Sequence, residues 1–313
     1  MFKTFLAASL MALAAGGAAA QTSINLGNYQ VTGTYAIDTP GAIGLEASAV
    51  AYARDRGTLF YVGDEGLGVV EMSLTGQTLS SMAFSAWPTA TSHHDAEGLT
   101  YLGGGVLVVG EERLQDAFRF SYVAGGSVDL SAAPSASVSN YTYNNLGMEG
   151  LSYDPRDGSF VAVKQDTPQV LFSGTLNFTN GTSTMTELFN GVSLFGLNSL
   201  SDVQTLSPID ALAGTAAADN LLVLSLDSKR LVEIDRAGNV LSFLDLSGIT
   251  TQAIEGVTVD ENGTIYLVAE QTSAAPQSQL IVLSSVPEPD ALLLAGLGLA
   301  VLVRGQKRRR VQA

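Results

Sequence analysis

The sequence predicts an all-β chain closed into a β-propeller of five blades, with six as the alternative count. Three observations carry this expectation. A strand–turn–strand unit recurs five times. Its period is about fifty residues, which suits a four-stranded blade. No long amphipathic helix interrupts residues 21–286.

The clearest copy is Met148-Glu149-Gly150-Leu151-Ser152-Tyr153-Asp154, turning through Asp157-Gly158 into Phe160-Val161-Ala162-Val163. Asp-Gly between apolar runs is a hairpin signal. Ala96-Glu97-Gly98-Leu99-Thr100-Tyr101 leads through Gly103-Gly104-Gly105 into Val106-Leu107-Val108-Val109 in the same way, and Ile254-Glu255-Gly256-Val257-Thr258-Val259 leads through Asn262-Gly263 into Ile265-Tyr266-Leu267-Val268. Two weaker copies start near Ser48 and Ser201; the second reaches its apolar run at Leu221 only after an Ala-rich insertion. The equivalent positions are Ser48, Glu97, Glu149, Ser201 and Glu255.

Between these units lie further hairpins. Leu67 to Met72 and Leu79 to Phe84 flank Thr75-Gly76, and Arg230 to Asp235 and Val240 to Asp245 flank Ala237-Gly238-Asn239. Residues 131–139 and 211–218 are rich in Ser and Ala and read as loops. Residues 29–37 alternate apolar and polar side chains before the first copy, so they are the expected partner of the last strand, Gln279 to Leu283. That pairing would close the ring and remove its exposed edges.

The two ends are not part of the ring. Residues 1–20 carry Lys3, a short apolar run and Ala18-Ala19-Ala20, which reads as a secretory signal peptide. The C-terminal end has Pro287-Glu288-Pro289, an apolar run over residues 291–303 and the cluster Lys307-Arg308-Arg309-Arg310. That run spans only about 20 Å as a helix, short of a ~30 Å hydrocarbon core. The order of parts in residues 287–313 resembles the PEP-CTERM sorting signal. The resemblance implies an exosortase-type processing enzyme as partner, transient inner-membrane anchoring, and delivery to the cell surface or the exopolysaccharide outside it.

Charge and composition exclude several functions. Of 15 basic and 30 acidic residues, six bases and two acids lie in the ends, leaving nine bases against twenty-eight acids in residues 21–286. Such a surface repels nucleic acid and anionic lipid and favours cations. The chain has no cysteine, hence no disulfide framework, no thiolate nucleophile and no sulfur ligand for a metal. No nucleophile elbow, zinc-binding His-Glu-x-x-His or P-loop occurs. The two histidines, His93 and His94, precede Asp95-x-Glu97; neighbours on an extended chain face opposite ways, so at most one could act as a base there.

The repeated acids are the chemical feature. Each Glu stands where a channel-lining strand begins, followed by Gly, which lets neighbouring backbones approach. More acids stand at the ends of the following strands: Asp64, Glu65, Glu111, Glu112, Asp166, Asp227 and Glu270. Like charges at ~4 Å cost about 4 kcal/mol at an effective dielectric of ~20. Convergent carboxylates therefore hold protons or a cation, and an oxygen-only ligand set suits Ca²⁺ better than Zn²⁺. The same acids could instead satisfy backbone amides and exposed turns.

Glu46-x-Ser48, Asp95-x-Glu97-Gly98-Leu99, the Met148 to Asp154 run, Leu200-Ser201 and Ala253-x-Glu255-Gly256-Val257 together resemble the SdiA-regulated (YjiK-like) family. Gly110-Glu111-Glu112-Arg113 and Val268-Ala269-Glu270 are similar to that family's strand ends. The resemblance implies a five-bladed propeller with a calcium site and no established activity. By position it makes Glu97, Glu149 and Glu255 the first ligand candidates, with Glu111 and Glu270 next. Lys164-Gln165 departs from the family pattern, in which an acid follows the basic residue. The expected function is an exported calcium-binding module at the cell surface or in exopolysaccharide, binding polysaccharide or a surface protein. The competing reading is a calcium-dependent phosphoesterase (phytase-like) or a lactonase.

Overall fold

A computed structural model describes residues 21–38, 41–89 and 94–286. The expected signal peptide, residues 287–313 and His93 lie outside the described residues. Within them the chain builds five blades of four antiparallel strands each, the first extended by one parallel strand, and a separate two-stranded ribbon of Leu176–Asn177 and Thr182–Ser183. Blade one runs outward through Ala47–Ala53, Thr58–Gly63, Gly68–Met72 and Thr78–Ala86, and blade two through Ala96–Gly103, Val106–Glu111, Asp116–Ser121 and Ser135–Ser137. Blade three takes Met148–Asp154, Ser159–Lys164, Gln169–Gly174 and Thr186–Gly191; blade four takes Asp202–Thr205, Leu221–Ser225, Arg230–Ile234 and Val240–Asp245.

Blade five is assembled from both ends of the ring. Ile254–Val259, Ile265–Ala269 and Gln279–Ser285 are completed by Tyr29–Ala36, paired from Tyr29↔Ser285 to Ala36↔Gln279. This is the closure expected from the alternating segment. The residues ahead of it cross blade four and are fixed there by Glu233. That buried carboxylate accepts from the Ser23 hydroxyl (2.5 Å), Ile24 N–H (3.0 Å), Asn220 Nδ2 (2.8 Å) and Ser242 hydroxyl (2.8 Å). Four donors offset the cost of burying its charge.

The second strand of every blade is buried along nearly its whole length. A blade has neighbours on both faces, so these strands read as unbroken aliphatic runs such as Leu221-Leu222-Val223-Leu224. The outer strand Val240–Asp245 alternates exposed and half-buried residues instead. Five apolar clusters fill the five seams between neighbouring blades, for example Phe60 and Val62 against Leu107 and Val109, and Leu222 and Leu224 against Val257 and Leu267.

Two segments depart from the expected loops. Residues 131–139 contain Ser135–Ser137, the outer strand of blade two, whose Ala136 is buried against blade three. A Ser-Ala-Ser run has no alternation of its own; the free edge of Asp116–Ser121 imposes the pairing. Just before it, Ser127–Asp129 adds in parallel to the outer strand of blade one, with Ala83 opposite Ser127, and ties the two blades. Residues 211–218 do form a loop, with short 3-10 turns that bury Leu212, Ala217 and Ala218.

The inner strands are bonded to one another around the axis. Thr258 Oγ1 accepts from Tyr52 N–H, Thr100 Oγ1 from Tyr153 N–H and Ser152 Oγ from Thr205 N–H, each at 3.1 Å. Asp202 Oδ2 accepts from Val257 N–H at 2.7 Å and joins blade four to blade five. Burial pushes the Asp202 carboxyl well above its ordinary value despite this amide and that of Val203.

Glycine permits the closeness. A Cβ on Gly150 would meet Asp202 Cα at 2.6 Å, and one on Gly256 would meet the Ser48 carbonyl oxygen at 2.8 Å. Both obstacles are backbone, so the strands themselves must move apart. Gly150→Ala should therefore cost about 3 kcal/mol or more, as overpacking does at its upper end. Gly248→Ala, at a site with open space around it, should cost under about 1 kcal/mol. Thermal melts of the two variants check this; equal losses would contradict the close-approach argument.

Candidate metal centre

The repeated acids are bulge residues. In the pairing of first and second strands the register slips by one residue between Ala96 and Gly98, between Met148 and Gly150, and between Ile254 and Gly256. The extra residues are Glu97, Glu149 and Glu255; in blade one the same slip falls on Ser48. A bulge leaves its residue unpaired and re-aims its side chain. The Glu-Gly dipeptide thus does two things: Glu turns away from the ladder, and Gly admits the neighbouring strand. Blade four departs, because Ser201 precedes its strand and its hydroxyl accepts from Leu226 N–H at 2.9 Å.

The three glutamates come from three blades into one electrostatic neighbourhood. Burial, then Glu149 and Glu255, holds the Glu97 carboxyl well above the usual range. Burial, then Glu112 and Glu255, does the same to Glu149, whose side chain is also hydrogen-bonded to Glu112. Glu255 is pushed up to about 8 by burial, then by Glu270 and Asp64. Each of the three residues nevertheless keeps part of its surface accessible.

A second group stands beside them. Glu46, Asp64 and Glu270 each offer one carboxylate oxygen, and the three oxygens lie within 4.8 Å of one another. Burial, and then the hydrogen bond and charge of Glu46, push Asp64 up to about 8. Its Oδ1 is buried with no hydrogen-bond partner. Glu270 is raised by burial and by the charges of Glu46 and Glu65. Glu46 holds a left-handed backbone with φ of 52°, a conformation that side-chain-bearing residues adopt sparingly. Asp64 and Glu270 directly follow the second strands of blades one and five, which end at Gly63 and Ala269, and Glu112 follows that of blade two.

Of the five sequence candidates, Glu270 alone belongs to the group whose oxygens converge; Glu97, Glu149 and Glu255 are coupled to it and to one another through charge. Glu111 is placed differently. It is fully buried, its Oε2 accepts from Leu114 N–H at 2.6 Å, and its charged neighbours are Asp95, Arg113 and Glu112. Burial pushes it up to about 7. Its neighbour Glu112 takes the place beside Glu149, as alternation along a strand requires. Glu46, although quoted in the sequence pattern, was not a candidate. The available signal was its spacing, two residues before the bulge, which is also where Asp95 stands before Glu97.

Two cations lie near the acids. Arg113 pairs with Asp95 and donates through Nε to the Asn144 carbonyl at 2.8 Å. Lys164, buried at the end of the second strand of blade three, donates to the carbonyls of Asp166 and Pro168 and sits 4.2 Å from the centre of the Tyr143 ring. Burial lowers its ammonium below the ordinary value, while Asp166, Glu149 and Glu112 oppose that. His94 is stacked on the Trp87 indole at 4.8 Å, and Trp87 is packed between blades one and two.

The donor set is hard oxygen throughout: carboxylates from blades one, two, three and five, with no sulfur and no imidazole among them. Solved structures that the chain is similar to include the β-propeller domain of Cps50 (Swd1) from Myceliophteria thermophila, at 15% identity over 77% of this chain and 65% of that one, TM-score 0.38. Another is a luciferin-regenerating enzyme, at 9% identity over 81% of this chain and 95% of that one, TM-score 0.47. Residues 285–310 match the PEP-CTERM protein-sorting motif, which implies export and membrane-associated processing by an exosortase-type enzyme. Residues 21–273, with every Glu-Gly bulge among them, match the SdiA-regulated family over most of the chain, and the protein belongs to that family.

Proposed function

We propose that this is an exported calcium-binding propeller that serves as a binding module at the cell surface or within secreted exopolysaccharide. The observation that carries the reading is the meeting of Glu46, Asp64 and Glu270 within 4.8 Å, beside Glu97, Glu149 and Glu255. Glu46, Asp64 and Glu270 would hold the ion, and Glu255 stands next to them. A bound Ca²⁺ would neutralise the carboxylates and join blade one to blade five across the closing seam. Ca²⁺ takes 6–8 oxygen ligands and tolerates irregular geometry, which fits carboxylates drawn from separate loops.

A ligand present at a hundred times its Kd stabilises by about 2.7 kcal/mol. Excess chelator should therefore lower the melting temperature by about 5 °C for a domain of this size. The same treatment should do almost nothing to Asp64→Asn, while Asp157→Asn, a turn acid that accepts from Ser159 N–H, should keep the full response. An unchanged melt of the natural protein in chelator would refute the calcium centre.

The pH dependence has a defined sign. With Glu255 at about 8 when folded and near 4.5 when unfolded, the folded chain holds protons that the unfolded chain has lost. Metal-free stability therefore falls as pH rises between those values and levels off above them. Calcium competes with the same protons, so its stabilisation grows over that interval. Melts with and without chelator across that range should diverge as pH rises. Glu149→Gln should flatten the metal-free slope by removing one of the coupled acids.

A further inference from the structure

The far ends of the inner strands form a second site. There a cavity of about 500 Å³ is lined by the last residues of the inner strands and the turns that follow them. Its volume lies within the range of about 300–1,000 Å³ usual for small-molecule sites. The acids stand where these strands begin, so the cavity opens at the opposite mouth of the channel.

Three tyrosines dominate it: Tyr52, Tyr101 and Tyr153, each four residues after the bulge of its blade, and each half-buried. Every ring is backed by another aromatic. Tyr52 stacks on Tyr266 at 6.3 Å and 7°, Tyr101 on Phe60 at 5.7 Å and 20°, and Tyr153 leans on Phe160 at 5.1 Å. Two of the hydroxyls are also fixed: that of Tyr52 is bonded to Glu261 and that of Tyr101 to Asp55, while Tyr101 also accepts from Gly105 N–H at 2.7 Å. The platform is therefore held in place before any ligand arrives, which lowers the ordering cost of binding.

The charges around it are engaged. Arg54 makes a two-pronged pair with Asp210 at 2.7 and 2.8 Å, and Asp55 also accepts from Gly104 N–H at 3.0 Å. The Gln204 amide is taken up as well, donating to the Thr205 carbonyl at 2.8 Å and accepting from the Thr258 hydroxyl at 3.2 Å, so what is left for a ligand is a set of ring faces, Pro155 and Pro208, and one Glu261 oxygen that is buried without a partner. Aromatic faces carry negative potential and attract polarised C–H groups, while a free carboxylate oxygen accepts from a hydroxyl. A compact molecule with C–H faces and hydroxyl edges satisfies both at once.

We infer that this mouth binds a neutral saccharide, stacked on Tyr101 and Tyr153 and hydrogen-bonded to Glu261. The inference deepens the binding-module reading by giving it a ligand class and a place, and it does not require the calcium centre.

Titration calorimetry of the purified protein with neutral hexasaccharides tests it, using β-1,4-, β-1,3-, α-1,4- and α-1,6-linked glucose and β-1,4-linked N-acetylglucosamine, with choline as a cationic comparison. At least one hexasaccharide should bind. Tyr101→Ala and Tyr153→Ala should each weaken it by about tenfold or more. Tyr153→Phe, which keeps the ring on Phe160, should retain binding. Melts of the alanine variants separate a lost contact from a lost fold. Absence of binding by every saccharide, binding of choline alone, or affinity untouched by both alanine variants would overturn the inference. Saccharide binding that persists where chelator has no thermal effect would remove the calcium centre and leave this site standing.

Discussion

Carboxylates crowded into one small volume repel each other, and this chain gathers Glu97, Glu149, Glu255, Glu46, Asp64, Glu112 and Glu270 around one end of a channel. Glu46, Asp64 and Glu270 bring oxygens within 4.8 Å of one another, and at ~4 Å and an effective dielectric of ~20 an unrelieved pair costs about 4 kcal/mol. That is a large share of the stability of an ordinary domain, about 5–15 kcal/mol. Protons or a cation among these groups relieve that cost. The raised values of Asp64 and Glu255 are the proton solution to that constraint.

The geometry that creates the crowding is the same one that holds the ring together. A bulge turns Glu out of the ladder, and the glycine after it lets the next inner strand approach to backbone contact. Hydroxyls at Thr100, Ser152 and Thr258, three residues beyond the bulges, then bond the strands across the seams. One short motif therefore sets the channel's acidity, its narrowness and its cross-blade bonding. Blade four has no bulge glutamate, and Asp202 supplies its link to blade five instead.

The two ends of each inner strand have different chemistry. Starts carry carboxylates from several blades, whereas ends carry tyrosines on blades one, two and three and the Val259 and Gln204 positions on the others. At the outer edge, the first residues of the ring are bound by Glu233 across blade four before completing blade five.

Much of this was legible before any coordinates. The recurrence of a strand–turn–strand unit about every fifty residues determined the blade count and the inner strands, and the three copies that open on Glu-Gly marked three acids of the channel, because a repeat reports equivalent positions whatever the fold does with them. The alternation of residues 29–37 likewise announced the closing strand. Tertiary structure alone decided the rest. Which of Glu111 and Glu112 faces the channel depends on where the strand's alternation stands relative to the axis, and neighbouring residues in sequence do not declare that. Glu46 enters through a left-handed turn with no strand periodicity to mark it. The edge strand at Ser135–Ser137 forms because a neighbour offers unpaired backbone groups, a property of the neighbour and not of Ser-Ala-Ser itself.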